Sequence, residues 1–68
     1  MNETRFAENL KSLRLSKDIS QAELANKIGV SAGIISLWEH QKREPLMHSL
    51  LVLATYFGVS IDELVGYE

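Results

Sequence analysis

Residues 20–39 read Ser20-Gln21-Ala22-Glu23-Leu24-Ala25-Asn26-Lys27-Ile28-Gly29-Val30-Ser31-Ala32-Gly33-Ile34-Ile35-Ser36-Leu37-Trp38-Glu39, and their spacing decides the fold. Ser20 and Glu23 stand three apart, as in a capping box. The hydroxyl accepts from an orphan amide of the first helical turn, and the carboxylate accepts from the amide of the cap. Leu24, Ala25 and Ile28 then fall on one helical face. Gly29 takes the positive φ that ends a helix, and Ser31 caps the next. That second helix carries Ile35, Trp38 and Glu39 on its inner side. Two helices joined by so tight a glycine-containing turn cross steeply, which leaves the second projecting from the body. The geometry is that of a helix-turn-helix.

The stretch resembles the phage repressor and Cro type of helix-turn-helix, also called XRE-like. The residues that carry the likeness are Ser20 to Ala25, Gly29 to Ser31, Ile35-Ser36, Trp38-Glu39 and Pro45. It extends outward to Leu10, Leu13 and Arg14, and to Leu53-Ala54, Phe57 to Ser60 and Asp62-Glu63-Leu64. The resemblance implies an all-α, compact five-helix domain of the lambda-repressor-like type, its helix-turn-helix formed by helices 2 and 3. The implied partner is double-stranded DNA, contacted in the major groove.

Apolar residues recur at a spacing of three to four rather than two, so helices are expected and strands are not. Helix 1 is predicted over about 4–17, with Phe6, Leu10 and Leu13 on its core stripe. Asp18 ends it, since Asp tolerates the left-handed conformation better than most residues. Helix 2 is predicted over about 21–28 and helix 3 over about 32–40. Helix 4 follows Pro45 over about 46–57, with Met47, Leu50, Leu53, Ala54 and Phe57 inward. Gly58 closes it. Ser60 with Glu63 is a second capping box, opening a short helix 5 that runs to about Val65 and stops at Gly66.

The 68 residues are expected to form one domain, and a chain so short buries only about 60% of its unfolded surface. Cysteine is absent, so no disulfide or thiolate metal site is available. His40 and His48 lack the carboxylate or thiol partners of a ligand set, and no metal or other cofactor is expected. No apolar run approaches the roughly 20 residues of a bilayer span, and no secretion signal opens the chain. A cytoplasmic setting fits. The net charge of −2 hides a polarity. Residues 1–43 hold seven bases against five acids, net +2, whereas residues 44–68 hold four acids and no base, net −4. A basic-leaning end toward phosphates and an acidic end away from them suits a nucleic-acid partner.

By resemblance, Ala32, Gly33, Ser36 and Leu37 on helix 3 take the positions that face base edges. Such positions usually carry side chains able to pair with guanine or adenine. Alanine, glycine, serine and leucine offer contact with thymine methyls instead, so modest direct readout and a larger share from DNA shape are expected. Gln21, at the first turn of helix 2, takes the place of a phosphate donor, where the helix N-terminus favours the same anion. Ser31, His40, Lys42 and Arg43 are further candidates for the sugar-phosphate backbone. Gln41 stands where the family commonly has glycine, at a left-handed cost of about 1–2 kcal/mol if the backbone turns the same way. Arg14 and Glu39 take the positions of a structural salt bridge between helices 1 and 3.

Helices 4 and 5 carry more apolar residues than one small core can hold, among them Leu46, Leu51, Val52, Tyr56, Val59, Val65 and Tyr67. Such a surplus points to a partner. The expected partner is a second copy, joined through Val52, Tyr56, Val59, Val65 and Tyr67, which would set two recognition helices about 34 Å apart. The leading expectation is a DNA-binding transcriptional regulator, a repressor acting by operator occupancy. An antitoxin-like protein masking a toxin with helices 4–5 is one alternative, and a protein-interaction module with weakened DNA binding is another. No constellation suggests an enzyme.

Overall fold

The computed structural model describes residues 4–66. Five α-helices and no strand occur among them: α1 (Phe6–Ser16), α2 (Gln21–Ile28), α3 (Ala32–Glu39), α4 (Met47–Phe57) and α5 (Ile61–Val65). The number, order and type of elements are those the periodicity predicts. Helix 1 starts two residues later and stops one sooner than expected, and its N-terminal cap, Arg5, makes no side-chain capping bond.

Local chemistry sets most of the ends. Ser20 Oγ accepts from the Glu23 amide at 3.0 Å, and Glu23 Oε1 accepts from the Ser20 amide at 2.7 Å. Ser60 and Glu63 repeat the arrangement at α5. Gly29 closes α2 at φ 78°. Gly66 closes α5 at φ 56°, and there glycine is required twice over. A Cβ would stand 2.7 Å from Asn9 Nδ2, the group that donates to the Glu63 and Leu64 carbonyls at 3.2 and 3.1 Å. Asp18 takes the left-handed conformation expected of it, at φ 57°. Gln41 does the same at φ 61°, so this chain accepts the strain where its family more often has glycine.

The core is built from Phe6, Leu10, Leu24, Ala25, Ile35, Trp38, Leu53, Ala54 and Leu64. Leu10, Leu24, Ile35, Leu53 and Leu64 are fully buried, one from each helix. Trp38 is core, 3% exposed, with Phe6 edge-on to it at a centroid distance of 6.1 Å. Helix α3 packs on α2 and α1; α5 packs on α1 and α4. The Arg5 amide reaches the Val65 carbonyl at 2.7 Å, tying the start of α1 to the end of α5.

Met47 departs from the expectation. The helical period puts it on the inner face of α4, yet it is 63% exposed. Its angular position matches that of Ala54, seven residues on, but the buried part of that stripe begins further along the helix. The first turn of α4 overhangs the core.

Two substitutions test this account. Gln41→Gly should raise stability by about 1 kcal/mol, a gain of about 4–8 °C in Tm for a chain this size. Leu64→Ala should cost about 2–5 kcal/mol, because the cavity opens where α1, α4 and α5 meet. Chemical or thermal unfolding followed by circular dichroism checks both.

Candidate nucleic-acid interface

Helix α3 is held from its inner side and open on its outer side. Ile35 and Trp38 are buried, and the Glu39 side chain is only 2% exposed. Ala32 and Gly33 are exposed at the first turn; Ser36 and Leu37 are half-buried. The four residues assigned to base edges thus run from an open N-terminal end to a partly covered second turn. The space beside Gly33 is free: the nearest atom to a Cβ built there is Ser31 Oγ, at 3.8 Å. Packing within the chain does not require glycine at that position.

The far end of α3 is anchored by a three-residue polar junction. Arg14 Nε donates to Glu39 Oε2 at 2.8 Å, and Arg14 Nη2 donates to Glu39 Oε1 at 3.0 Å, a bidentate pair. The remaining arm, Nη1, donates to the Ile19 carbonyl at 2.9 Å. Gln21 Nε2 then donates to Glu39 Oε1 at 3.1 Å. The Glu39 carboxylate therefore joins α1, α2 and α3, and Arg14 extends the junction to the α1–α2 connection. Arg14 is itself 7% exposed, and no buried side-chain nitrogen or oxygen among the described residues lacks a partner.

Burial pushes the Glu39 carboxyl up, but the hydrogen bonds from Arg14 and Gln21 and the charges of Arg14 and Lys11 outweigh it, leaving Glu39 below the ordinary carboxylate range. The hydrogen bond to Glu39 raises Arg14 further above its already high value, against the effect of burial.

The residues assigned to phosphates differ in readiness. Lys42 and Arg43 are exposed in the segment between α3 and α4. Ser31 is exposed at the N-cap of α3, its Oγ accepting from the Ile34 amide at 3.2 Å. Gln21 is half-buried and already engaged by Glu39, a contact that spacing alone does not reveal. His40 is exposed, with Nδ1 2.8 Å from the Ser36 carbonyl and 3.3 Å from Ser36 Oγ. Nδ1 is thus engaged within α3, and Nε2 is the ring nitrogen left for an outside partner.

The residues assigned to a dimer contact come from α4, the α4–α5 connection and α5. Val52 and Tyr56 line a shallow groove between α2 and α4 with Lys27, Ile28, His48, Leu51 and Thr55, a volume of about 490 Å³. Lys17 lies over the Tyr56 ring at 5.3 Å. Val59 sits in the α4–α5 connection, and Val65 ends α5 beside α1. Tyr67 lies outside the described residues. Among the described residues no group of histidines and carboxylates has the arrangement of a metal site, and no helix is long and apolar enough to cross a membrane.

Comparison with known proteins agrees with this geometry. Residues 10–64 match the helix-turn-helix family model. The chain belongs to that family, in its phage repressor and Cro type. It is 43% identical over 63 residues to the HTH-type transcriptional activator BcrR of Enterococcus faecalis, covering 93% of this chain and 31% of the activator. A transcriptional regulator from Listeria innocua superposes with a TM-score of 0.91 at 34% identity, covering 98% of this chain and 63% of that one. The P22 c2 repressor, crystallised with a synthetic operator, superposes with a TM-score of 0.83 at 35% identity over 88% of this chain and 91% of that one. The chain spans 31% of the activator and 54–55% of the next two curated relatives.

The acid limb of the stability curve tests the junction. Because the folded pKa of Glu39 is depressed, its contribution is fully present above the unfolded carboxylate value, about 4.3, and is lost as pH falls through the lower folded value. Urea midpoints measured from about pH 7 down to about pH 3 should fall less steeply in Glu39→Gln than in the wild type. Parallel curves would show that Glu39 has no part in that limb.

Proposed function

We propose that the chain is a sequence-specific, double-stranded-DNA-binding transcriptional regulator that sets α3 in the major groove and acts as a homodimer. The observation that carries this reading is the placement of α3. Its inner side is fixed by Ile35, Trp38 and Glu39, while Ala32 and Gly33 are exposed at its start. The superposition with a repressor crystallised on its operator supports the same reading.

Ala32, Gly33, Ser36 and Leu37 face base edges. Gln21, Ser31, His40, Lys42 and Arg43 meet phosphates. Small side chains on the open end of α3 bring the helix backbone close to the floor of the groove. Discrimination then leans on thymine methyls and on the deformability of the duplex. Repression by operator occupancy is the simplest mechanism, since it needs only a bound dimer in the path of polymerase. Activation is the second reading, favoured by the 43% identity to a protein named as a transcriptional activator. The dimer forms through helices 4 and 5, where Leu46, Met47 and Leu51 add exposed apolar area, the last two 63% and 51% exposed.

Affinity for short duplexes at increasing salt checks the electrostatic part. A dimer that neutralises about six phosphates should give a log–log slope near −5, and replacing Lys42 or Arg43 by alanine should make it shallower by about 1 for each phosphate no longer neutralised. Selection of bound sequences from a random pool checks the readout. Leu37→Gln should change the preferred sequence and leave the salt slope unaltered. A Leu37 variant that shifted all sequences equally would remove that residue from the base-facing set. Gly33→Ala should raise stability by about 0.5 kcal/mol while weakening the bound complex.

A further inference from the structure

We propose that Glu39 is a positioning residue for phosphate recognition by Gln21, a role that rests on the DNA-binding reading above. The primary amide of Gln21 has two chemically opposite ends, and free in solvent it presents either one. An ionised carboxylate can only accept hydrogen bonds. With Gln21 Nε2 at 3.1 Å from Glu39 Oε1, the nitrogen must face inward, because the flipped amide would set oxygen against oxygen. That nitrogen carries two hydrogens. One is committed to Glu39, and the second diverges from it by the trigonal angle of the amide, free to meet a phosphate oxygen.

The carboxylate is in turn held at both oxygens by Arg14, at 2.8 and 3.0 Å, and its side chain is 2% exposed. Glu39 is also the last residue of α3. The donor assigned to the DNA backbone is therefore oriented by the same group that fixes the far end of the helix assigned to the bases. Backbone contact and base contact share one reference point. A phosphate donor without that bond would be coupled to α3 only through the packing of the two helices.

The test is a double-mutant cycle read on DNA affinity, with random-sequence short duplexes at low salt as the probe, since a phosphate contact is indifferent to sequence. Wild type, Gln21→Ala, Glu39→Gln and the double variant are compared at a temperature where circular dichroism shows all four folded. Glutamine at 39 retains the shape but offers Gln21 an oxygen or a nitrogen, so the amide loses its preferred sense. Gln21→Ala should weaken binding about fivefold in the wild-type background and less than about twofold in the Glu39→Gln background. If Gln21→Ala weakens binding equally in both backgrounds, Glu39 does not position the donor, and the phosphate role of Gln21 stands without it. If Gln21→Ala is silent in the wild type while Arg43→Ala weakens binding, Gln21 meets no phosphate and both statements fall.

A Glu39→Gln chain that does not fold leaves a direct readout in the free wild-type protein. The side-chain amide pair of Gln21 should resonate apart from the other glutamine and asparagine pairs, and its proton held by Glu39 should exchange more slowly with solvent than its geminal partner. Side-chain resonances at unstructured positions would overturn the proposal.

Discussion

The carboxylate of Glu39 is the constraint on which the rest of the molecule depends. Taking it out of water costs several kcal/mol, and the bidentate guanidinium of Arg14 offsets that cost only while both partners keep their geometry. Removing either partner would leave an uncompensated buried charge, at a cost of about 3–5 kcal/mol. The pair therefore adds little net stability compared with an apolar core and a great deal of definition. Its bidentate geometry ties α3 to α1 at a set distance, beside the buried Trp38 and Ile35. In a chain whose marginal core draws one fully buried leucine or isoleucine from each helix, such definition has few other sources.

The fold is legible because its signals are local and agree with one another. Ser20, Gly29, Ser31, Gly58, Ser60 and Gly66 punctuate the chain at helix ends, and the apolar stripes between them have the helical period. Even the two left-handed non-glycine residues, Asp18 and Gln41, stand at positions where the pattern requires a helix to end. Met47 escapes the pattern for a reason periodicity cannot detect. A helical wheel gives the direction of a side chain and says nothing of how far the core extends along the axis.

Less of the candidate site is legible. Which residues lie on α3 follows from spacing, and their assignment to bases or phosphates follows from family likeness. The engagement of Gln21 by Glu39 and the commitment of His40 Nδ1 to the Ser36 carbonyl are tertiary or rotamer facts. No spacing rule encodes them. They alter the chemistry nonetheless: a glutamine read as a phosphate donor is already engaged by a carboxylate, and a histidine read as a phosphate contact has one ring nitrogen committed within its own helix. The described dimer residues are likewise spread over α4, the α4–α5 connection and α5. Val52 and Tyr56 open toward α2, whereas Val65 lies beside α1.

The composition of α3 bears on how such a surface can discriminate at all. Each bidentate side-chain pairing contributes about 1–3 kcal/mol of preference for one base, and Ala32, Gly33 and Leu37 can make none. On the DNA-binding reading proposed above, specificity is assembled from weaker terms: methyl contacts, the cost of deforming one sequence rather than another, and repetition across two half-sites. Those terms are useful only if the helix meets the duplex in one pose, since a helix free to rock would average them away. On that reading, a junction that joins the end of α3 to the first turn of α2 is worth more here than in a protein with arginine or glutamine at the base edge. The weaker the chemical readout, the more rigidly its frame must be held, and the Arg14–Glu39–Gln21 junction supplies that rigidity.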